Sequence, residues 1–249
     1  MKRSVLSQLD KPKYRDITAS RVAALFDCHP FVTRAALAGA LRSGGGPRAL
    51  SSSAMRAGRL LEPAIAQAVG EKHPTWVIER ARDYLRLPTH RLGAIPDYYI
   101  NNRNAVMECK SVSPDEWRAW HGQPPLAYFI QLFTQMVCGG FSSGTLAVMV
   151  RVFDALPLHV FHLAAMDAAK SILLSAVRTW WEQIDAGVAL PPPYPVDALR
   201  DLLQPQAAVG AFPPTEKPLV MLDGHRIVTA AAMTSARATA YGSKGWGTA

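Results

Sequence analysis

Residues 95–110 read Ile95-Pro96-Asp97-Tyr98-Tyr99-Ile100-Asn101-Asn102-Arg103-Asn104-Ala105-Val106-Met107-Glu108-Cys109-Lys110. Two runs rich in β-branched and aromatic residues flank the polar turn 101–104, the pattern of a hairpin. Pairing Ile100 with Ala105 fixes a register in which Asp97 stands opposite Glu108. Side chains alternate along a strand, so Glu108 and Lys110 share one face while Met107 and Cys109 take the other. One surface then collects Asp97, Glu108 and Lys110. Facing carboxylates repel, and a hard divalent cation with oxygen ligands, Mg²⁺ first among them and Mn²⁺ as a substitute, is the natural neutraliser. Such a metal polarises a phosphate and acidifies a bound water, while the neighbouring lysine orients that water or steadies developing charge. A solvated cross-strand ion pair is the other reading that an isolated Glu-x-Lys tripeptide allows.

Outward from this hairpin the chain alternates between helical and strand-like stretches. Toward the N-terminus, Ile17–Leu41 reads as helical, with Ser20 placed to cap it and His29-Pro30 splitting it in two. Glycines 44–46 and serines 51–53 mark a loop, after which Leu60, Leu61, Ile65, Ala68 and Val69 recur at helical spacing. Glu62 is expected near the start of that helix, with Pro63 either opening or kinking it. Short strands are expected between Thr75 and Val112. Beyond them come a helix over Pro125–Val137, a strand over 145–153, a short strand around 159–163 and a long helix over Ala164–Ala186. This order argues for an α/β fold with a central mixed sheet flanked by helices. The prolines at 191–195 and 213–218 and the Ala, Thr, Ser and Gly composition beyond them make 196–249 a Pro/Ala-rich accessory tail, partly disordered, with a small hairpin expected around Asp223-Gly224.

The 249 residues are 49% hydrophobic, enough for a real core without covalent staples. Twenty-seven Lys and Arg against 19 Asp and Glu leave a net charge of +8, which favours polyanionic partners such as nucleic acid. Cys28, Cys109 and Cys138 form no C-x-x-C pair, no apolar leader opens the chain, and no apolar run approaches membrane-spanning length. A cytoplasmic protein of a bacterium or phage-infected host, without membrane contact, is the expectation. Three scattered cysteines are too few for a four-cysteine iron–sulfur cluster, and the absence of a Walker loop excludes a fused ATP-driven motor.

Pro96-Asp97 followed by Glu108-Cys109-Lys110 matches the P-D…(D/E)-x-K nuclease signature. The chain further resembles the lambda-type exonuclease and YqaJ-like viral recombinase family. Five blocks carry the resemblance in family order: Ile17-Thr18-Ala19-Ser20, Ala57 to Glu62, Gly93 to Asp97, Met107 to Lys110, and Ala127 to Gln131. The resemblance implies a restriction-endonuclease-like core over residues 1–195. It implies Asp97, Glu108 and the carbonyl of Cys109 as metal ligands, Lys110 beside the attacking water, and Glu62 as the helical acid that completes the cluster. For Glu62 by itself, a first-turn acid favoured by the helix dipole is the competing reading.

Tyr128 and Gln131, three apart on one helix face, correspond to family positions that present a Tyr and a Gln to the substrate and the active centre. Ser20 matches a family serine that holds a terminal 5′-phosphate, a role that competes with plain capping. Where the family places an arginine upstream of that serine, this chain has Lys13, with Arg15 nearer. A lysine holds phosphate as a point charge without the bidentate fork. Trp117 and Trp120 fit either base stacking or packing within the protein; Trp180 and Trp181 read as core, and the seven histidines as structural or solvated.

Activity by this resemblance is Mg²⁺-dependent 5′ to 3′ digestion of one strand at double-stranded DNA ends, leaving 3′ strands for a single-strand annealing protein, with a ring of three subunits in some members. Two rivals share the sequence features. One is an endonuclease or structure-specific repair nuclease of the same fold; the other is a catalytically inactive DNA-binding module, favoured by charge alone.

Overall fold

The computed structural model describes residues 15–43, 53–153, 155–190 and 192–205, and the backbone of 206–207, 219–222 and 226–229. In chain order the elements are β1 (Ile17–Thr18), α1 (Ala19–Val22) with a 3₁₀ turn over Ala23–Phe26, α2 (Arg34–Arg42) and α3 (Ser53–Lys72). The strands β2 (Ile78–Arg80), β3 (Leu85–Leu87), β4 (Leu92–Ala94), β5 (Tyr98–Ile100) and β6 (Ala105–Val112) follow. Then come α4 (Pro114–Ala119), α5 (Leu126–Gly139), β7 (Ser143–Val150), β8 (Leu158–Ala164), α6 (Asp167–Ala186), α7 (Asp197–Leu202), β9 (Gln206–Ala207), β10 (Leu219–Leu222) and β11 (Arg226–Thr229).

The main sheet has six strands in the order β2-β5-β6-β7-β8-β9. Only β6 and β7 run parallel, and the chain between them supplies α4 and α5. The sheet is therefore mixed, with helices on both faces: the α/β, restriction-endonuclease-like PD-(D/E)xK architecture. Alternation along β6 builds two cores. Ala105, Met107 and Cys109 pack with Ile65, Ala66 and Val69 of α3, whereas Val106 and Val112 join Leu146, Val148 and Val150 beneath α5 and α6. Each fully buried Val, Leu, Ile or Met side chain contributes about 1.5–3 kcal/mol. Glu108 occupies one of the same inward positions at 4% exposure, so its retention opposes that gain.

The β5–β6 ladder adopts the expected register: Ile100 pairs with Ala105, Tyr99 with Val106 and Tyr98 with Met107. The turn closes through a 3₁₀ step over Asn101–Arg103 and Asn104 at φ +46°, a left-handed conformation that Asn tolerates.

Several local expectations change. Ile17–Leu41 is not continuous helix: Ile17 and Thr18 pair in parallel with Leu92 and Gly93, making a second sheet of order β1-β4-β3. A free strand edge outweighs local helical periodicity there. Gly93 is required at that edge, since a Cβ would sit 2.0 Å from the Tyr84 hydroxyl. The helix bearing Glu62 begins at Ser53, so Glu62 lies mid-helix and Pro63 does not open it, which leaves the kink as the reading that an internal proline fits. Thr18, not Ser20, is the N-cap of α1, and its side chain makes no capping bond.

The body also continues past residue 195. Leu199 and Leu203 are fully buried in the main core, and β9 extends the sheet alongside Phe161 and His162 of β8. Leu219–Leu222 and Arg226–Thr229 pair antiparallel, and the turn expected at Asp223-Gly224 lies outside the described residues.

Candidate active site

Glu108 and Lys110 project from the middle of β6 toward α5, and α5 answers with two amides. Gln131 Nε2 donates to Glu108 Oε1 at 2.6 Å, and Gln135 Nε2 donates to Glu108 Oε2 at 2.6 Å. Lys110 Nζ donates to Glu108 Oε1 at 2.7 Å and to Gln131 Oε1 at 3.2 Å. The ring of Tyr128, one helical turn before Gln131, lies with its centroid 4.9 Å from Lys110 Nζ, a cation–π contact. Helical spacing puts 128, 131 and 135 on one face of α5, so the helix meets the strand as a single polar seam in an otherwise apolar interface.

Asp97 lies one residue before β5. Its backbone carbonyl accepts from Ala81 N at 3.0 Å, and its Oδ2 accepts from Cys109 N at 2.8 Å. The carboxylate thus reaches across the end of the hairpin to the amide between Glu108 and Lys110, instead of standing within the ladder itself. Glu62 comes from α3; its Oε2 accepts from Arg80 Nη2 of β2 at 3.1 Å, with Glu62 17% exposed.

Electrostatics bind these groups into one cluster. Burial, then the charge of Glu108, pushes the Asp97 carboxyl up to about 8, against the opposing bond from Cys109 N. Burial raises Glu62, opposed by Arg80 and reinforced by Glu108. Burial alone would lower Lys110, but the charge and hydrogen bond of Glu108, with Asp97, outweigh it and hold the ammonium protonated. The Tyr128 phenol is pushed up by burial.

The donor chemistry suits a hard cation. Glu62, Asp97 and Glu108 supply carboxylate oxygens, and burial with the Glu108 charge disfavours the charged form of Asp97, a cost that a cation would offset. As placed, no group of three His, Cys, Asp or Glu among the described residues encloses a metal ion. Lys110, Gln131 and Gln135 instead solvate Glu108.

Ser20 is exposed in the second position of α1, its hydroxyl 3.2 Å from that of Thr18. Arg15 is exposed beside the start of β1, and Lys13 lies outside the described residues. His29 ties this region together: Nε2 bonds the Ser20 carbonyl at 2.8 Å, and Nδ1 accepts from the amides of Phe31 and Val32 at 3.0 and 2.9 Å. With Nδ1 accepting twice, Nε2 carries the proton and donates. Lys110 is among the charges that lower the His29 pKa, after burial and Arg21, so the Ser20 turn and the acidic cluster share one electrostatic neighbourhood.

Trp117 stacks on His159 with centroids 4.0 Å apart, and Trp120 meets Tyr128 edge-on at 5.5 Å. Both indoles are partly buried against the core, the packing alternative. Trp180 and Trp181 are buried, as expected. Three residues of this neighbourhood escaped sequence reasoning: Arg80, His29 and Gln135. Only Gln135 left a signal, a second glutamine four residues after Gln131 in the apolar run Leu126–Gly139.

Comparison with known proteins agrees with this architecture. The chain is similar in fold to an alkaline exonuclease from Laribacter hongkongensis, with TM-score 0.56 and 21% identity over 73% of this chain and 93% of that one. A structure of that enzyme in complex with dAMP matches with TM-score 0.56 and 23% identity, over 70% and 90% of the two chains. No curated protein matches the sequence. The pattern of the YqaJ-like viral recombinase domain matches residues 10–142, more than half of the chain. That match takes in Ser20, Glu62, Asp97, Glu108, Lys110 and Gln131 together, and the chain belongs to the YqaJ-like viral recombinase family as a nuclease of that group.

Proposed function

We propose that this nuclease is a divalent-metal-dependent DNA exonuclease that digests one strand of linear duplex DNA from the 5′ end. The observation that carries the reading is the Glu108 carboxylate, held at the centre of the sheet by Lys110 and Gln131 with Asp97 beside it. A carboxylate at 4% exposure carries a desolvation cost that the bonds from Lys110, Gln131 and Gln135 offset, and a buried acid set beside other acids in this way is the kind of group that functional sites hold.

Asp97 and Glu108, with the Cys109 carbonyl and Glu62, would hold Mg²⁺, which Mn²⁺ would replace. The metal supplies charge for the scissile phosphate and acidity for a bound water. Lys110 carries a fixed positive charge at the centre, oriented by Glu108 and Gln131, and steadies negative charge on the reacting phosphate. Gln131 aligns Lys110 and Glu108 relative to each other. Tyr128 covers the ammonium with its ring and limits access of water. Ser20, with Lys13 and Arg15, would receive the terminal 5′-phosphate, and His29 holds the Ser20 carbonyl in place.

The net charge of +8 suits double-stranded DNA ends as substrate. A single-strand annealing protein would take up the 3′ strands left behind, within the cytoplasm of a bacterial or phage-infected cell, and a ring of three subunits would keep the enzyme on its substrate. No helix among the described residues is long and apolar enough to cross a membrane.

The test is digestion of linear duplex DNA with and without 5′-phosphate, beside a covalently closed circle, in Mg²⁺ and in chelator. Loss of the linear forms alone, faster with 5′-phosphate and stopped by chelator, is the expected result. Cutting of the closed circle would make the protein an endonuclease of the same fold. Salt-sensitive binding without cleavage of any form would make it a binding module.

A further inference from the structure

We propose that Gln135 is a positioning residue that fixes the Glu108 carboxylate for metal binding, an inference that rests on the metal-dependent reading above. Gln135 is fully buried on the core side of α5, and its side-chain amide donates to Glu108 Oε2 at 2.6 Å. Its own carbonyl, Oε1, is buried without a hydrogen-bond partner. A buried orphan acceptor is a cost that leucine or methionine would avoid. What the glutamine gains in exchange is the bond to Glu108.

The two glutamines divide the work. Gln131 is partly exposed and shares Oε1 of Glu108 with Lys110, so it belongs to the open side of the cluster. Gln135 reaches the opposite oxygen from the interior. Gripped at both oxygens, the carboxylate plane cannot rotate about its terminal bond. A neutral amide orients the acid without cancelling its charge, which an arginine in the same place would do. Outer partners of metal-binding carboxylates act in this way, and their loss typically weakens metal affinity ten- to a hundredfold.

The experiment compares the intact chain with Gln135→Met, which keeps volume and loses the donor, and Gln135→His, which restores an N–H. Calorimetric titration with Mg²⁺ reads binding directly, and the Mg²⁺ dependence of linear-DNA cleavage reads its consequence. The expected result is a ten- to hundredfold weaker titration for Gln135→Met, a half-maximal Mg²⁺ concentration that shifts more than turnover at saturation, and partial recovery in Gln135→His. A Gln135→Met protein that titrates like the intact chain overturns the positioning role, as does equal loss in both variants. If neither variant folds, the side-chain amide resonances of Gln135 in the intact chain decide: a shift that saturates with Mg²⁺ supports the role, and unmoved resonances overturn it. An intact chain that cleaves DNA but shows no Gln135 effect fails this inference alone. An intact chain that neither binds Mg²⁺ nor cleaves fails the metal-dependent reading with it.

Discussion

Two buried carboxylates in this molecule have opposite surroundings. Asp16, at the start of β1, accepts from Arg86 Nε at 2.7 Å and Nη2 at 3.0 Å and from the Tyr84 hydroxyl at 2.9 Å. One negative charge meets one bidentate guanidinium and one phenol, and Gly93 leaves the room that Tyr84 needs. Around Glu108, the carboxylates of Asp97 and Glu62 meet Lys110, Arg80 and Arg59, and burial, then the charge of Glu108, drives the Asp97 carboxyl up to about 8. The Asp16 cluster ties β1 to β3 across the small sheet. The other holds carboxylates whose charged forms burial and one another disfavour, a cost that a bound cation would offset. Neighbouring carboxylates, raised by burial first and by one another after it, separate the candidate catalytic cluster from the structural one.

Breaking each cluster in turn should separate their roles. The largest effect is expected from Lys110→Ala: cleavage of linear DNA falls by roughly a hundred- to ten-thousandfold, while the circular-dichroism spectrum stays that of the intact chain. Full activity in the folded variant would remove Lys110 from the mechanism.

Arg86→Met should do the reverse. It leaves Asp16, whose side chain is 0% exposed, without its counter-ion, and denaturant titration should show a loss of about 3 kcal/mol. That is the low end for removing one partner of a buried pair, because Arg86 is 34% exposed and water replaces part of the interaction. Cleavage per folded molecule should be retained.

The third substitution tests the cost of charging Asp97 in its buried place. A carboxyl that titrates near 8 in the folded metal-free chain and near its ordinary value when unfolded binds more protons in the folded state between those values. Its contribution to stability therefore declines as pH rises from about 4 to about 8. Asp97→Asn keeps an oxygen for the Cys109 amide and removes the charge. In the metal-free protein it should raise stability at pH 8 by at least about 1 kcal/mol and have little effect at pH 4, while abolishing cleavage. Melting curves at both pH values check the sign; equal shifts at pH 4 and pH 8 would mean that charge is not the cause.

Much of this was legible in the sequence. The β5–β6 register follows from alternation and turn chemistry, both local, and β6 spans the run 105–112 that composition suggests. Strand period two places Glu108 and Lys110 on one face, and helix period 3.6 places Tyr128 and Gln131 on another. Less legible were the features set by distant partners. Ile17–Thr18 reads as helix until β4 offers an edge. Glu62 sits mid-helix because α3 starts nine residues before it, and Pro63 is accommodated inside the helix. Leu199 and Leu203 look like part of a tail until the main core covers them.

By itself, then, the sequence determined the mixed α/β class, the hairpin bearing Asp97 and Glu108, the shared face of Glu108 and Lys110, and the family, because strand and helix periods, turn chemistry and short motifs are each read from runs of neighbouring residues. Tertiary structure alone decided that α5 would lie against β6 so that Gln135 reaches Oε2 of Glu108, that Arg80 would meet Glu62, that His29 would brace Ser20, and that the body would continue to Ala207. Those contacts join residues separated by 9 to 27 positions or more. Their geometry is fixed by which apolar faces pack together, which no local pattern encodes.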